Sequence, residues 1–145
     1  MAAERRAQIT WEGDLAHGSG TFTVGSGSIG PQDVSWSART EEPGGKTSPE
    51  ELLAAAHASC FSMALSAGLA RAGTPRRRLE VEAVVTFDKV GDGWKVVSSA
   101  LTVRGDVPDT DEEAFRAAAD DAKDNCPISQ ALKGNVELSV DAGLT

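Results

Sequence analysis

The chain has no tyrosine, two cysteines and two histidines in 145 residues. Two cysteines cannot build a disulfide framework, and in a reducing compartment a pair of thiols serves catalysis or sensing more often than structure. With His17 and His57 as the whole histidine complement and no Cys-x-x-Cys spacing, a metal site lacks ligands. Basic side chains are also in the minority, 14 against 22 acidic ones, for a net charge of -8. That argues against nonspecific binding to nucleic acid or to anionic lipid, both of which need a basic surface. The run "RRRL" at 76–79 is then read as a solvated face. The stretch "MAAERRAQITWEGD" has a basic pair with no apolar segment behind it, so no secretory signal is expected. No uninterrupted apolar run reaches the length of a membrane span, so none is expected either. A single domain over 1–145, located in the cytoplasm, is the resulting expectation.

What is present follows an α+β order. "AQITWEG" (7–13), "GTFTVGSG" (20–27) and "DVSWSART" (33–40) alternate like strands, with turn signals between them. Their tryptophans, Trp11 and Trp36, fit a core or an interface, as does Trp94 further on. "TSPEELL" opens a helix: Ser48 is an N-cap, Pro49 suits the first helical position, and Glu50 and Glu51 complement the dipole. Ser48 and Glu51 have the spacing of a capping box. This helix runs to about Ala72, where Gly73 and Pro75 stop it. From Leu52 to Ala70 it carries no charge, so it is expected to be buried on most sides. Two strands, 79–90 and 93–107, join through "GDG" as a hairpin. An acidic amphipathic helix over 109–125, a short helix from Cys126-Pro127 to Leu132 and a closing strand over 135–144 complete the order.

The two cysteines pose the chemical question. Cys60 lies inside the apolar helix, where burial favours the unreactive thiol. A reactive Cys60 therefore needs a cation from outside that helix. Arg39 is the best candidate, and a partly buried arginine in turn needs a carboxylate, which Glu50 or Glu51 can supply. Glu50 precedes Cys60 by ten residues. In one continuous helix that is about 15 Å of rise and roughly 80° of rotation. Glu50 can serve Cys60 only from a second copy of the chain whose helix lies alongside, which predicts a dimer with two shared sites. Cys126, just before Pro127, sits where a short helix begins, and free N–H groups there favour a thiolate. That suits a resolving thiol, while a buried structural cysteine remains the alternative.

Taken together, "TSPEELLAAAHASCFSMALS" and, 66 residues after Cys60, "CPISQAL" resemble the OsmC/Ohr family of bacterial thiol peroxidases. The similarity extends over nearly the whole chain, including "WEGDLAHGSGTF" and the "FDKV…GW" hairpin. Ala56-His57 stands where the organic hydroperoxide resistance branch tends to have Gly-Tyr, so the chain looks nearer the osmotically inducible OsmC branch. The resemblance implies antiparallel sheets wrapped around a long central helix, in an intertwined homodimer. It implies Cys60 as peroxidatic thiol, Cys126 as resolving thiol, and Arg39 with Glu50 as the pair that activates Cys60. It also implies organic hydroperoxide as substrate, a lipoyl-type dithiol as reductant, and chemistry without metal or other cofactor. Phe61 and Met63 are candidate pocket-lining residues. A non-catalytic redox sensor or ligand-binding dimer, oxidised once on the same thiols, is the competing function. His57 is read first as a helix-packing residue.

Overall fold

The computed structural model describes residues 1–145. The elements follow in the order β1 (Ala7–Glu12), β2 (Ser19–Val24), β3 (Gln32–Val34), α1 (Trp36–Thr40), α2 (Pro49–Arg71), β4 (Arg78–Val90), β5 (Gly93–Asp106), α3 (Glu112–Asn125), α4 (Pro127–Leu132) and β6 (Glu137–Leu144). This is the α+β order expected. The chain divides into two compact units, Met1–Leu52 and Leu53–Thr145.

In the first unit β1, β2 and β3 form an antiparallel sheet in sequence order. Gly20 of β2 lies beneath the side chains of β1: a Cβ there would come within 2.8 Å of Ile9 Cδ1 and 3.0 Å of Trp11 Cε3. The third strand is shorter than expected. It ends at Val34, and Ser35 turns the chain into α1 by accepting the Ala38 N–H on its Oγ at 3.2 Å. Side-chain capping thus wins over the period-two pattern of "DVSWSART", and Arg39 belongs to a helix.

Helix α2 begins as the sequence predicts. Ser48 Oγ accepts the Glu51 N–H at 3.1 Å. The reciprocal half of the capping box is absent, because Glu51 takes the Thr47 hydroxyl instead, at 2.7 Å. At the other end Gly73 adopts a left-handed φ of 77°. Thr74 N–H then reaches Leu69 O at 2.9 Å and Gly73 N–H reaches Ala70 O at 3.1 Å, a Schellman stop. The expectation of burial on most sides is not met within this chain. One stripe at four-residue spacing, His57, Phe61, Leu65 and Leu69, is buried; Met63 is 72% exposed. The helix is also long and apolar enough to cross a membrane by length and composition, a test that core helices pass equally.

That stripe belongs to the core of the second unit. Phe61, Leu65 and Leu69 meet Leu101 and Val103 of β5 and Phe115, Ala119 and Ala122 of α3. Each large apolar side chain so buried contributes roughly 1.5–3 kcal/mol. The β4–β5 hairpin closes at Val90 and Gly93, with Gly91 at φ 62°. β6 adds to the far side of β5 in parallel, where antiparallel pairing was expected. The return through α3 and α4 supplies the crossover that a parallel neighbour requires. Asp111 caps α3, its carboxylate accepting the Ala114 N–H at 2.8 Å.

Candidate active site

The second unit brings the two cysteines together across 66 residues of sequence. Phe61 anchors the core face of α2, and Cys60 beside it is half-buried against the same cluster. Cys126 is fully buried at the junction of two helices. Its N–H ends α3 on Ala122 O at 2.9 Å, and its Sγ starts α4 by accepting the Ser129 N–H at 3.3 Å. Pro127 fills the first position of α4, where a missing N–H does no harm. Both thiols are free. Cys60 packs against the core cluster that contains Cys126, close enough for each thiol to feel the other, and Ile128 packs on the same cluster. Burial pushes the Cys60 thiol up from its ordinary value; the Ile128 N–H works the other way, and the neighbouring Cys126 adds to the rise. None of these groups is a cation.

The first unit holds the arginine and its carboxylate. Arg39 donates from Nε to Glu50 Oε1 and Oε2 at 3.0 and 3.1 Å, and from Nη2 to Oε1 at 2.7 Å. Its guanidinium also lies 5.9 Å from the centre of the Trp36 ring, a cation–π distance. Glu50 is 7% exposed. The choice left open between Glu50 and Glu51 is resolved by α2 itself: Glu50 turns toward Arg39 while Glu51 turns to Thr47. Helix α2 is unbroken between Glu50 and Cys60, so the axial separation read from the sequence applies.

Beside Arg39, Ile9, Trp11, Leu15, Val34 and Trp36 line an apolar hollow of about 190 Å³. These residues, and not Phe61 and Met63, form the apolar recess next to a candidate catalytic side chain. Phe61 is wholly core, and Met63 stands out from the helix. No group of three or more His, Cys, Asp or Glu side chains is placed to hold a metal ion.

Two polar residues went unnoticed in the sequence. Ser99 on β5 and Ser129 on α4 are both fully buried and both bonded to the buried His57. A serine on the inward face of the apolar strand "VVSSALTV" was the available signal for Ser99. Ser129 stands three residues after Cys126, the spacing at which an N-cap side chain meets the backbone.

The chain belongs to the OsmC-like protein family, whose model matches residues 42–141. Peroxiredoxin OsmC of Escherichia coli (strain K12) is 40% identical over 138 residues, covering 95% of this chain and 96% of that protein. Organic hydroperoxide resistance protein OhrB of Bacillus subtilis (strain 168) is 30% identical over 137 residues, 93% of this chain and 95% of that one. The crystal structure of the Bacillus subtilis OhrB superposes with a TM-score of 0.76 at 27% identity, over 95% of this chain and 98% of that chain. The fold is thus that of the OsmC and Ohr proteins.

Proposed function

We propose that this chain is a thiol-dependent peroxidase that reduces organic hydroperoxides to alcohols, with Cys60 as peroxidatic and Cys126 as resolving thiol. The observation that carries this reading is the meeting of the two free thiols in the core of one unit. The names borne by relatives, peroxiredoxin and organic hydroperoxide resistance protein, support the same activity. The Cys60 thiolate attacks the outer oxygen of R–O–OH, the O–O bond breaks, and an alkoxide leaves to be protonated to the alcohol. Cys60 is left as a sulfenic acid, which condenses with Cys126 to a disulfide and water. An external dithiol of lipoyl type then returns both sulfurs to thiols. The sulfur chemistry itself calls for no resident cofactor. A reducing compartment, the cytoplasm, suits it.

The active form is a homodimer in which Arg39 and Glu50 of the partner subunit attend Cys60. Two facts support this. Burial holds Cys60 toward the thiol and no cation acts on it, so the thiolate must be drawn out by a charge from elsewhere. And α2 leaves most of its apolar circumference open, with Met63, Val84 and Trp94 of the same unit also exposed, a surface that a second copy would bury. The apolar hollow beside Arg39 would then take the alkyl group of the peroxide.

The test is consumption of cumene hydroperoxide and of hydrogen peroxide, side by side, with dihydrolipoamide as reductant. Repeated turnover favouring the organic peroxide, lost in Cys60→Ser, is the expected result. Turnover that survives in Cys60→Ser, or a single stoichiometric oxidation with this dithiol, would sink the reading.

A further inference from the structure

His57 is a fully buried titratable side chain that the steps above do not use. Its Nδ1 lies 2.6 Å from Ser99 Oγ on β5, and its Nε2 lies 2.8 Å from Ser129 Oγ on α4. The same Ser129 Oγ lies 3.1 Å from Cys126 Sγ. An unbroken line of hydrogen bonds, Ser99–His57–Ser129–Cys126, therefore ends on the resolving thiol, and all four residues are wholly buried. Three separate elements converge to make it. An apolar side chain would fill the same space without the cost of satisfying two ring nitrogens, so simple packing does not account for an imidazole here.

We propose that His57, acting through Ser129, receives the proton of Cys126 as that thiol attacks the Cys60 sulfenic acid. The inference rests on the assignment of Cys126 as resolving thiol. Ser129 touches the reacting sulfur; His57 is a positioning residue that acts through it. With the Nδ1 proton given to Ser99 Oγ, the Nε2 lone pair faces the Ser129 hydroxyl, whose oxygen in turn accepts the Cys126 S–H. Proton transfer along this line leaves a Cys126 thiolate that the Ser129 N–H also supports, at 3.3 Å. The thiolate attacks the Cys60 sulfur, the S–S bond forms and the S–OH bond breaks. Hydroxide departs and is protonated to water, matching the proton that His57 took up and later returns to solvent. The Cys126 sulfur is oxidised and the Cys60 sulfur reduced, with no further oxidant. Burial holds the imidazole below its ordinary value, so at neutral pH its Nε2 is free to accept. The groups facing it, Ser99 from β5 and Ser129 from α4, are both uncharged.

The experiment separates the two oxidation steps. Reduced full-length protein is mixed with one equivalent of cumene hydroperoxide. Cys60 oxidation is followed by trapping the sulfenic acid with a dimedone-type probe, and closure by the appearance of the Cys60–Cys126 disulfide. His57→Gln and Ser129→Ala should leave Cys60 oxidation unchanged and slow closure by about 10²-fold, the scale of a lost proton acceptor. Ser129→Thr, which keeps the hydroxyl, should recover most of the rate. The wild-type closure rate should fall as acid protonates His57, and His57→Gln should lose that dependence. Closure at the wild-type rate in both variants overturns the proposal, as does a slowing that leaves the pH profile unchanged and that Ser129→Thr does not relieve. If His57→Gln does not fold, Ser129→Ala and Ser129→Thr carry the test alone. If the wild-type protein forms no Cys60–Cys126 disulfide, the underlying assignment of Cys126 falls, and this inference with it.

Discussion

Glu50 holds Arg39 by two nitrogens at once, Nε at 3.0 and 3.1 Å from its two oxygens and Nη2 at 2.7 Å from one of them. The carboxylate is thereby engaged by one edge of the guanidinium, and the aim of the fork is fixed. Lysine offers a point charge on a flexible stem and cannot keep that orientation. Arg39→Lys and Glu50→Ala should each lower kcat/KM for cumene hydroperoxide by about 10²-fold, the scale expected of a misaimed catalytic group. Steady-state kinetics on variants with unchanged circular dichroism check this. Full activity in Arg39→Lys would mean that charge alone suffices.

Complementation tests where that arginine acts. If the partner's Arg39 serves Cys60, a dimer of one Cys60→Ser chain and one Arg39→Ala chain contains one intact site and one empty of both groups. Each variant alone should be inactive. Mixed one to one and reassorted, they should recover about a quarter of wild-type activity, since in a twofold dimer half the pairs are mixed and each has one site. No recovery, with mixed dimers demonstrated by mass, would place Arg39 and Cys60 of the same chain in one site.

The buried imidazole also marks the stability curve. His57 is held neutral in the folded chain, below its ordinary value of 6.5, because burial disfavours the charged form. An unfolded chain takes up that proton below about 6.5 and the folded chain resists it, so stability rises with pH up to that region and is lost as pH falls through it. Urea unfolding at pH 7.5 and at 5.5 should show a drop for the wild type that is smaller in His57→Gln. Equal drops would mean that His57 is protonated at no cost in the fold.

How much of this was written in the sequence differs from element to element. Ser48-Pro49 and Cys126-Pro127 announced their helices because capping is local chemistry, read from a few adjacent residues. Gly91 and Gly93 announced their hairpin for the same reason. Helix α1 stayed hidden because "WSART" alternates as a strand does and only the Ser35 cap decides between them. The direction of β6 was not legible, since parallel pairing with β5 is set by how α3 and α4 return the chain, a long-range matter. The four candidate site residues could be named from their motifs. Ser99 and Ser129 could not, because each acquires meaning only when folding brings it to His57.

A last prediction concerns Gly105, a glycine near the end of β5. The fold gives the glycine a reason: a Cβ there would meet Phe115 Cζ at 2.7 Å and Cε1 at 2.9 Å, with Leu79 Cδ2 at 3.2 Å. Phe115 is fully buried, so the ring has nowhere to retreat without disturbing α3 against the sheet. Two effects oppose each other in Gly105→Ala. Alanine restricts the unfolded chain, which favours folding by about 0.4–1 kcal/mol. Overpacking a tight core costs about 1–3 kcal/mol. The clash should win, and each kcal/mol of net loss lowers Tm by about 2–4 °C in a chain of this size. Thermal unfolding of Gly105→Ala measures the sum, and adding Phe115→Leu identifies the cause. If the ring is the obstacle, the double variant is less destabilised than the two single losses added together. Strict additivity would place the cost of Gly105→Ala somewhere other than its contact with Phe115.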